Sequence, residues 1–346
     1  MKTIAVADAF LLEEYYRACF EKFPEYELDK VLFFGDHDRT GMRITAHKIE
    51  RNGPDAVEPP AELYDAIEDA EILMVHLCPV NSRVMDRAKK LKMILLNRGG
   101  TENVDLKAAA ERGIVVLNNP AHNANSVTEL TLGLMLSETR NLARTHVNMM
   151  QGKWIEHYSN VGHVYELAGK TIGIIGFGNI GRRVARKLTV FDCNVQVYDK
   201  YVGADHPDLE KYGCKFVDLD TLLSTSDIVT LHVRSDDLVL TREDLFKLKK
   251  GAYFINTARP HLIDNQAMWE LLHSHHLAGA AFDVYMREPI TPEEPYIQLD
   301  NVTLANHRGG DTVNCYSDSP AMLMKQANRY FNGEEPEFFA NKKWMK

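Results

Sequence analysis

The stretch 171–188 reads TIGIIGFGNIGRRVARKL, and the spacing of its glycines decides the fold. The apolar run Thr171–Ile175 predicts a buried strand, and apolar residues then recur on one face of a helical pattern. A GxGxxG sequence at residues 176–181 separates the two. This order of strand, glycine-rich turn and helix is typical of a parallel α/β domain whose turn faces a ligand.

Each of the three glycines has a physical role. Gly176 makes the tight turn, Gly178 lets the backbone approach a pyrophosphate, and Gly181 allows the helix to pack closely on the strand. The free N–H groups and partial positive charge of the helix N-terminus favour an anion at this point. The residues assigned to this dinucleotide site are Gly176, Gly178, Asn179, Ile180 and Gly181.

Asp199 indicates which dinucleotide binds. It ends the next apolar strand, 18 residues after Gly181. A carboxylate at this point accepts hydrogen bonds from the adenosine ribose hydroxyls and repels a 2′-phosphate. The sequence therefore favours NAD over NADP, although the neighbouring Lys200 softens the repulsion.

Strand-like and helix-like segments alternate along the chain, as they do in parallel α/β sheets. In the first hundred residues the predicted strands are Thr3–Val6, Val31–Phe34, Ile72–His76 and Met93–Leu96. In the second half they are Thr171–Ile175, Asn194–Tyr198, Lys215–Val217, Asp227–His232, Ala252–Asn256, Ala278–Phe282 and Val302–Ala305. The second group predicts a doubly wound α/β domain. From about Ala321 the pattern predicts an amphipathic helix and then a polar, aromatic tail.

Charged residues follow three of the later strands. Arg259 follows the strand that ends at Asn256, Asp283 and Glu288 follow the next, and His307 follows the last. Because ligands bind outside the carboxyl ends of an open parallel sheet, we expect these residues to meet beside the phosphate loop. Such a group of side chains suits hydride transfer to or from a nicotinamide.

The residue types fit that chemistry. Oxidation of an alcohol beside a carboxylate needs a base, and histidine has an unperturbed pKa of about 6.5, close to working pH. We therefore predict that His307 is the base and that Glu288 orients its ring. Arg259 is predicted to bind the substrate carboxylate, because arginine makes two parallel charge-assisted hydrogen bonds to such a group.

Composition excludes several classes of partner. The formal net charge of −9 argues against nucleic acid, which needs basic surface. The longest apolar runs are shorter than the roughly 20 residues that span a bilayer, and no signal peptide is predicted. Five scattered cysteines without a CxxC pair predict free thiols in the cytoplasm. The segment LLHSHHL is interpreted as a solvated helix end rather than a metal site.

A long helix is predicted near residues 123–150, opening at Ser126 and running to about Met150. Ser126-Val127-Thr128-Glu129 has the pattern of a capping box that would open it. Its broad apolar face, which includes Leu130, Leu134 and Leu142, suggests contact with a second subunit. The alternative is a helix that only crosses its own domain.

The segments around these residues resemble the D-isomer-specific 2-hydroxyacid dehydrogenases. The resemblance is close from Leu91 to Gly310. It is carried by NVDLKAAAERGIVVLNNPAHNANSVTELTLGLML, GKTIGIIGFGNIGRRVA, NTAR, LAGAAFDVYMREP and NVTLANHRGG. It implies an NAD-dependent enzyme for a small anionic 2-hydroxy or 2-keto acid. In that reading Arg259 binds the substrate, His307 is the acid/base and Glu288 is the partner of His307.

The resemblance also implies the domain layout. A Rossmann-type doubly wound domain, residues 119–307, is inserted into a smaller flavodoxin-like substrate domain formed by residues 1–118 and 308–346. A homodimer through the helix near 123–150 is usual for such proteins. Further cofactor residues assigned on this basis are His232, Thr257, Ala258, Asp283, which falls near the nicotinamide carboxamide, and Gly309.

The chain departs from the family pattern near the expected substrate. The stretch 96–103 replaces a sequence of the type RAGxGxDN, whose backbone binds the substrate carboxylate, and it places Arg98 where a small residue is usual. We assign Arg98, Gly99 and Gly100 to the substrate site. Arg98 is predicted either to bind a second anionic group or to pair with Glu102 or an interdomain acid.

Other departures fall beside the reaction centre and the adenine side. Pro260-His261 replaces Gly-Gly, Arg308 replaces an apolar residue, and the loop after His232 is shortened. These changes favour a substrate with an extra anionic or polyhydroxyl group. Glu288, where formate dehydrogenases have Gln, argues against that branch.

Two other functions fit the same motifs. One is a non-catalytic, NAD-sensing protein similar to the corepressors that share the fold. The other is a short-form phosphoglycerate dehydrogenase.

Overall fold

The computed structural model describes residues 1–345, which divide into two compact units. The smaller unit comprises Met1–Asn123 and the segment from Thr312 onward, and the larger comprises Ala124–Asp311. The domain boundaries predicted after residues 118 and 307 lie only a few residues away. Among the described residues, no helix has the length and apolar composition needed to cross a membrane.

The smaller unit is built on a five-stranded parallel sheet. Its strands are β1 (Lys2–Ala7), β2 (Glu27–Phe33), β3 (Ile72–Val75), β4 (Met93–Leu96) and β5 (Val115–Asn118), in the order β2-β1-β3-β4-β5. This is the flavodoxin-like order that was expected. The sequence prediction missed β5, and it began β2 four residues late because Glu27–Lys30 is mostly polar.

Helices cover both faces of this sheet. They are α1 (Glu13–Phe20), α2 (Arg39–Asn52), α3 (Ala61–Ala66), α4 (Ser82–Arg87) and α5 (Leu106–Glu111). β3 and β4 are buried along their whole length, so their apolar side chains supply both core layers. That double burial explains why these strands appear in the sequence as unbroken apolar runs.

The larger unit contains a seven-stranded parallel sheet, and all seven predicted strands are confirmed with slightly trimmed ends. They are β6 (Thr171–Ile175), β7 (Asn194–Tyr198), β8 (Lys215–Phe216), β9 (Ile228–Leu231), β10 (Tyr253–Asn256), β11 (Gly279–Phe282) and β12 (Val302–Leu304). The spatial order is β12-β11-β10-β9-β6-β7-β8. The chain order reverses between β6 and β9, which is where a doubly wound sheet opens a crevice for ligands.

The predicted single helix from 123 to 150 is wrong. The chain forms α6 (Ala124–Thr139) and α7 (Leu142–Met150), separated by Asn141 at φ 59°. Asparagine tolerates this left-handed conformation, which ends a helix. The capping box at Ser126 is also wrong, because α6 begins two residues earlier and Ser126 lies inside it.

A buried ion pair stabilises the break. The Glu138 carboxylate, which is fully buried, accepts hydrogen bonds from Arg144 at 2.6 and 2.7 Å and from the Thr303 hydroxyl at 2.6 Å. Because an unpaired buried charge is costly, Glu138 and Arg144 hold α7 at a fixed angle to α6. The turn therefore depends on a contact with β12, far away in the sequence.

The remaining helices of the larger unit connect its strands. They are α8 (Asn179–Leu188), α9 (Pro207–Lys211), α10 (Leu219–Thr225), α11 (Arg242–Leu245) and α12 (Asn265–His273). α8 buries Val184, Ala185 and Leu188, the apolar face that the glycine motif predicted.

The chain then returns to the smaller unit through α13 (Val313–Ser317) and α14 (Ser319–Phe331). α14 starts two residues before the predicted Ala321, with a proline in its first turn. Asn341 in the tail accepts a hydrogen bond from the Val116 backbone N–H and donates one to the Ile114 carbonyl. Both ends of the chain therefore build the smaller unit.

Candidate active site

The phosphate loop has the geometry that its glycines require. Gly176 adopts φ 97°, a conformation that L side chains rarely adopt. A Cβ on Gly181 would lie 1.9 Å from the Gly176 carbonyl oxygen, so this residue must be glycine for α8 to pack on β6. A Cβ on Gly178 would meet no described atom within 4 Å. Asn179 and Ile180 follow as the first residues of α8.

Asp199 lies at the end of β7 and binds the loop. Its Oδ2 accepts the Phe177 N–H at 2.6 Å, and its Oδ1 accepts the N–H groups of Tyr201 and Val202 at 2.7 and 3.0 Å. A carboxylate has about four lone-pair positions, so three are occupied and one remains for a ribose hydroxyl. These bonds fix the carboxylate beside the phosphate loop.

His307 and Glu288 form a hydrogen-bonded pair. His307 Nδ1 lies 2.6 Å from Glu288 Oε2, and Glu288 Oε1 accepts the Tyr285 N–H at 3.0 Å. The His307 backbone has φ 55°, and about half of its side chain is exposed. Because Nδ1 faces the carboxylate, Nε2 is the ring nitrogen left for a substrate.

Asp283 organises the backbone after His307. It is buried at the end of β11, and its two oxygens accept the N–H groups of Arg308 at 2.9 Å and Gly309 at 2.8 Å. Burial raises the pKa of the Asp283 carboxyl, and the two backbone bonds oppose that rise. A Cβ on Gly309 would lie 2.9 Å from Asp283 Oδ2, which explains the glycine. The Arg308 side chain bonds Asp311.

Arg259 is held by a residue that the sequence analysis did not single out. The buried Asn256 side chain donates to the Arg259 carbonyl at 3.0 Å and accepts the Ala258 N–H at 3.0 Å. The signal available in the sequence was a polar residue ending an otherwise apolar strand. Pro260 begins a short 3₁₀ turn, and His261 Nε2 lies 2.9 Å from the Ser235 carbonyl.

Two other assigned residues lie at neighbouring strand ends. The Thr257 hydroxyl lies 2.9 Å from that of Thr131 on α6. His232 is buried, with Nε2 3.0 Å from the Thr230 hydroxyl, and its Nδ1 has no hydrogen-bond partner within residues 1–345. Burial lowers the pKa of His232 to about 3, so its imidazole is neutral at physiological pH.

The structure thus brings most of the predicted residues to one edge of one sheet. β6, β9, β10, β11 and β12 are successive neighbours, and the phosphate loop, His232, Arg259, Asp283 and His307 follow their carboxyl ends. Within the described residues, no group of three or more His, Cys, Asp or Glu side chains is arranged to hold a metal.

Arg98, Gly99 and Gly100 belong to the smaller unit, after β4. Arg98 Nη2 lies 2.5 Å from Glu50 and 3.6 Å from Glu102, and its side chain is 13% exposed. The sequence analysis left open a pair with Glu102 or with an acid of the other domain. The structure shows the contact with Glu102, and the second acid, Glu50, belongs to the same unit as Arg98. The Gly99 carbonyl accepts a hydrogen bond from Asn118 at 2.8 Å.

A family model matches the part of the chain that carries the site. Residues 132–309 match the model described as "D-isomer specific 2-hydroxyacid dehydrogenase, NAD binding domain". The chain belongs to this family. The fold class and the NAD cofactor predicted from the sequence are thereby confirmed.

Individual members show how far the likeness extends. Hydroxypyruvate reductase of Thermotoga maritima is 38% identical over 278 residues, covering 79% of this chain and 85% of that protein. D-3-phosphoglycerate dehydrogenase of Methanocaldococcus jannaschii is 34% identical over 286 residues, covering 81% of this chain. This chain spans only about half of that relative's length, 53%.

Solved structures share the whole fold. The NAD-dependent formate dehydrogenase of Staphylococcus aureus, in complex with NAD, matches with a TM-score of 0.61 at 26% identity. The match covers 99% of this chain and 98% of that one.

The residues of this site fit NAD. Gly176 and Gly181 shape the loop, Gly178 leaves its surface without a side chain, and the α8 N-terminus suits the pyrophosphate. Asp199 retains acceptor capacity for the ribose.

Two glycine substitutions are expected to separate cofactor binding from folding. Gly181→Ala is expected to destabilise the protein by about 3 kcal/mol, because its methyl group overlaps the Gly176 carbonyl. Gly178→Ala is expected to leave the melting temperature nearly unchanged and to weaken NAD binding at least tenfold. Thermal melts and NAD titrations of both variants measure this. Equal melting temperatures for the two variants would contradict the assigned roles.

Proposed function

We propose that the chain is an NAD-dependent oxidoreductase that transfers a hydride between the nicotinamide and C2 of a D-2-hydroxy acid or 2-keto acid. The observation that carries this is the pairing of His307 Nδ1 with Glu288 Oε2 at 2.6 Å, beyond the last strand of the NAD-binding sheet. The substrate class is that of the family, and the smaller unit is proposed to bind the substrate.

His307 serves as the acid/base. Bound NAD supplies the acceptor for the hydride that leaves C2 during oxidation. The proton of the C2 hydroxyl passes to His307 Nε2, so the products are a 2-keto acid, the reduced cofactor and a protonated imidazole. Glu288 fixes the ring and stabilises the charge that the imidazole gains. In the reduction the same proton returns to the oxygen on C2.

Arg259 orients the substrate. Arg259 follows β10. Two hydrogen bonds of the Asn256 side chain fix the backbone from which the Arg259 guanidinium extends. A substrate carboxylate can accept two parallel bonds from this group, which holds C2 in one orientation. The positive charge also favours partial negative charge on the C2 oxygen during transfer.

The proposal also includes a preference for NAD over NADP and a location in the cytoplasm. Asp199 opposes a 2′-phosphate, so NAD is preferred over NADP. The five free thiols support a reducing compartment, the cytoplasm.

A substrate screen tests the proposed activity. The protein is mixed with 2-keto acids and either NADH or NADPH, and the absorbance of the reduced cofactor is followed. We expect turnover of at least one acid with NADH, and slower turnover with NADPH. Tight NAD binding without turnover of any 2-keto acid would favour the non-catalytic NAD-sensing alternative.

We further propose that two chains form a homodimer through α7 and the segment after it. No residue of α7 is buried, although the helix carries Leu142, Val147, Met149 and Met150. Trp154 continues this apolar surface and is 77% exposed. Contiguous exposed apolar surface of this kind marks a protein interface.

Charge placed in this surface is expected to separate the subunits. The double variant Met150→Glu, Trp154→Glu should sediment as a monomer, because a dimer would bury two unpaired carboxylates in each subunit. Val190→Glu, at an equally exposed apolar residue elsewhere, should sediment like the unmodified protein. Sedimentation velocity measures all three. A dimer that survives the double substitution would place the interface elsewhere.

A further inference from the structure

Helix α6 carries three threonines with fully buried side chains, Thr128, Thr131 and Thr139. Each hydroxyl donates to the carbonyl four residues earlier in the helix, at 2.6, 2.8 and 2.8 Å respectively. Within residues 1–345, only the Thr131 hydroxyl of these three also bonds a residue outside α6. Because valine has nearly the same shape, the hydroxyl of a buried threonine is the part whose role needs an explanation.

The outside partner of Thr131 is Thr257, and the bond between them has a defined direction. The two hydroxyl oxygens lie 2.9 Å apart. A threonine hydroxyl has a single proton, and Thr131 uses its own for the Val127 carbonyl at 2.8 Å. Thr257 therefore donates and Thr131 Oγ1 accepts. The two bonds connect the Thr257 side chain to the backbone of α6.

Thr257 lies in the turn after β10, two residues before Arg259. The Asn256 side chain holds the backbone of the same turn, because it accepts the Ala258 N–H and donates to the Arg259 carbonyl, each at 3.0 Å. The Arg259 side chain is exposed and donates to the Ala258 carbonyl at 2.7 Å. The position of its guanidinium therefore follows the position of this turn.

A third contact of the turn is weaker than the threonine pair. His261 Nε2 lies 2.9 Å from the Ser235 carbonyl, but this bond is exposed. Water competes for an exposed bond, whereas a buried hydroxyl that loses its partner stays unsatisfied. The bond between Thr131 and Thr257 is therefore the stronger constraint on the turn.

Helix α6 also contacts the turn that carries His307. A Cβ on Gly309, two residues after His307, would lie 3.4 Å from Val127 Cγ2 and 3.6 Å from Leu130 Cδ2. Both of these residues belong to the first two turns of α6, as Thr131 does. The start of this helix thus contacts the turns of both Arg259 and His307 within the larger unit.

We propose that Thr131 is a positioning residue of the active site. By accepting the Thr257 hydroxyl, it holds the turn that presents the Arg259 guanidinium to the substrate carboxylate. The inference rests on the proposed function, in which Arg259 binds that carboxylate. Two parallel bonds between a guanidinium and a carboxylate need both groups in one plane, so a small rotation of the turn weakens them.

Replacement of Thr131 by valine tests the proposal. Thr131→Val keeps the shape of the side chain and leaves the buried Thr257 hydroxyl without its acceptor. We expect kcat/KM for the best acid of the screen to fall about fivefold, mainly through a higher KM for the acid. Thr131→Ser restores the acceptor and should recover most of the loss. Thr139→Val loses the same kind of bond within α6, and its kinetic constants should stay unchanged.

Double variants separate positioning of Arg259 from a general loss of stability. In the Arg259→Ala protein, Thr131→Val should cause no further loss, because its effect passes through the missing guanidinium. Thr257→Val removes the donor of the same bond, so it should lower kcat/KM at least as much, and adding Thr131→Val to it should change nothing further. A Thr131→Val protein with the constants of Thr139→Val, or the same fivefold loss without Arg259, overturns the proposal.

This proposal and the proposed function fail in distinguishable ways. If turnover depends on His307 but Thr131→Val behaves like Thr139→Val, the positioning role is wrong and the proposed function stands. If the unmodified protein reduces no acid, the proposed function fails, and hydrogen exchange of the peptide 253–262 decides whether Thr131 holds the turn. Clearly faster exchange in Thr131→Val than in Thr139→Val supports that hold, and equal rates overturn it.

Discussion

Replacement of His307 by alanine is expected to lower kcat/KM by about two to four orders of magnitude, the usual contribution of a general acid/base. The substitution removes the ring nitrogen, Nε2, to which the proposal assigns proton exchange with the C2 oxygen, because Nδ1 faces Glu288. Binding of NAD should change little, because the phosphate loop follows β6 and Asp199 follows β7, away from His307 after β12. Steady-state rates with the best acid of the screen and NAD titration measure the two effects.

Two companion variants make this result specific. Glu288→Gln keeps a hydrogen-bonding partner for the ring but loses the charge, so a smaller loss than for His307→Ala is expected, mainly in kcat. His273→Ala removes an exposed histidine at the end of α12, where the ring stacks on Trp269, and activity should be retained. Undiminished turnover by His307→Ala would remove this residue from the mechanism.

Replacement of Arg259 by alanine is expected to cost about 3 kcal/mol of transition-state binding, or roughly a hundredfold in kcat/KM. The estimate takes two charge-assisted hydrogen bonds at about 1.5 kcal/mol each and about 1.4 kcal/mol per factor of ten. Arg259→Lys should recover only part of this, because an ammonium cannot make two parallel bonds to a carboxylate. Initial rates over a range of acid concentrations measure KM and kcat separately.

The matched control for Arg259 is Arg242→Ala. Arg242 pairs with Glu270 on the surface of the same unit, so its removal should leave both kinetic constants close to those of the unmodified protein. Equal effects of Arg259→Ala and Arg242→Ala would show that Arg259 does not bind the substrate.

Asn256 shows what sequence reasoning could have found. It ends β10, whose other residues are apolar, and its side chain fixes the backbone on both sides of the turn into Arg259. A polar residue in such a strand must find partners inside the protein. The sequence showed the anomaly, but which groups satisfied it depended on the path of the following turn.

The end of helix α6 could not be predicted from the sequence. The residues from 123 to 150 have helical composition throughout, and nothing local requires a break at Asn141. The break depends on the Glu138 carboxylate, which bonds Arg144 and Thr303. The second of these partners is 165 residues away, so the interaction has no local pattern.

The partners of Arg98, at the proposed substrate site, could not be predicted from the local sequence either. The sequence placed Arg98 after β4, but it did not decide whether Arg98 binds a second anionic group of the substrate or pairs with an acid of the protein. Glu50, the closer of its two partners, is on α2 and 48 residues away in the sequence.

By itself, the sequence determined the NAD-binding sheet, the glycine loop and the strand ends that carry Arg259, Glu288 and His307. These depend on local patterns: apolar runs, glycine spacing and the rule that parallel strands present their carboxyl ends at one edge. Only the tertiary structure decided the break between α6 and α7 and the partners of Arg98. Those arrangements join side chains from distant segments, and their charges find partners only when the chain has folded.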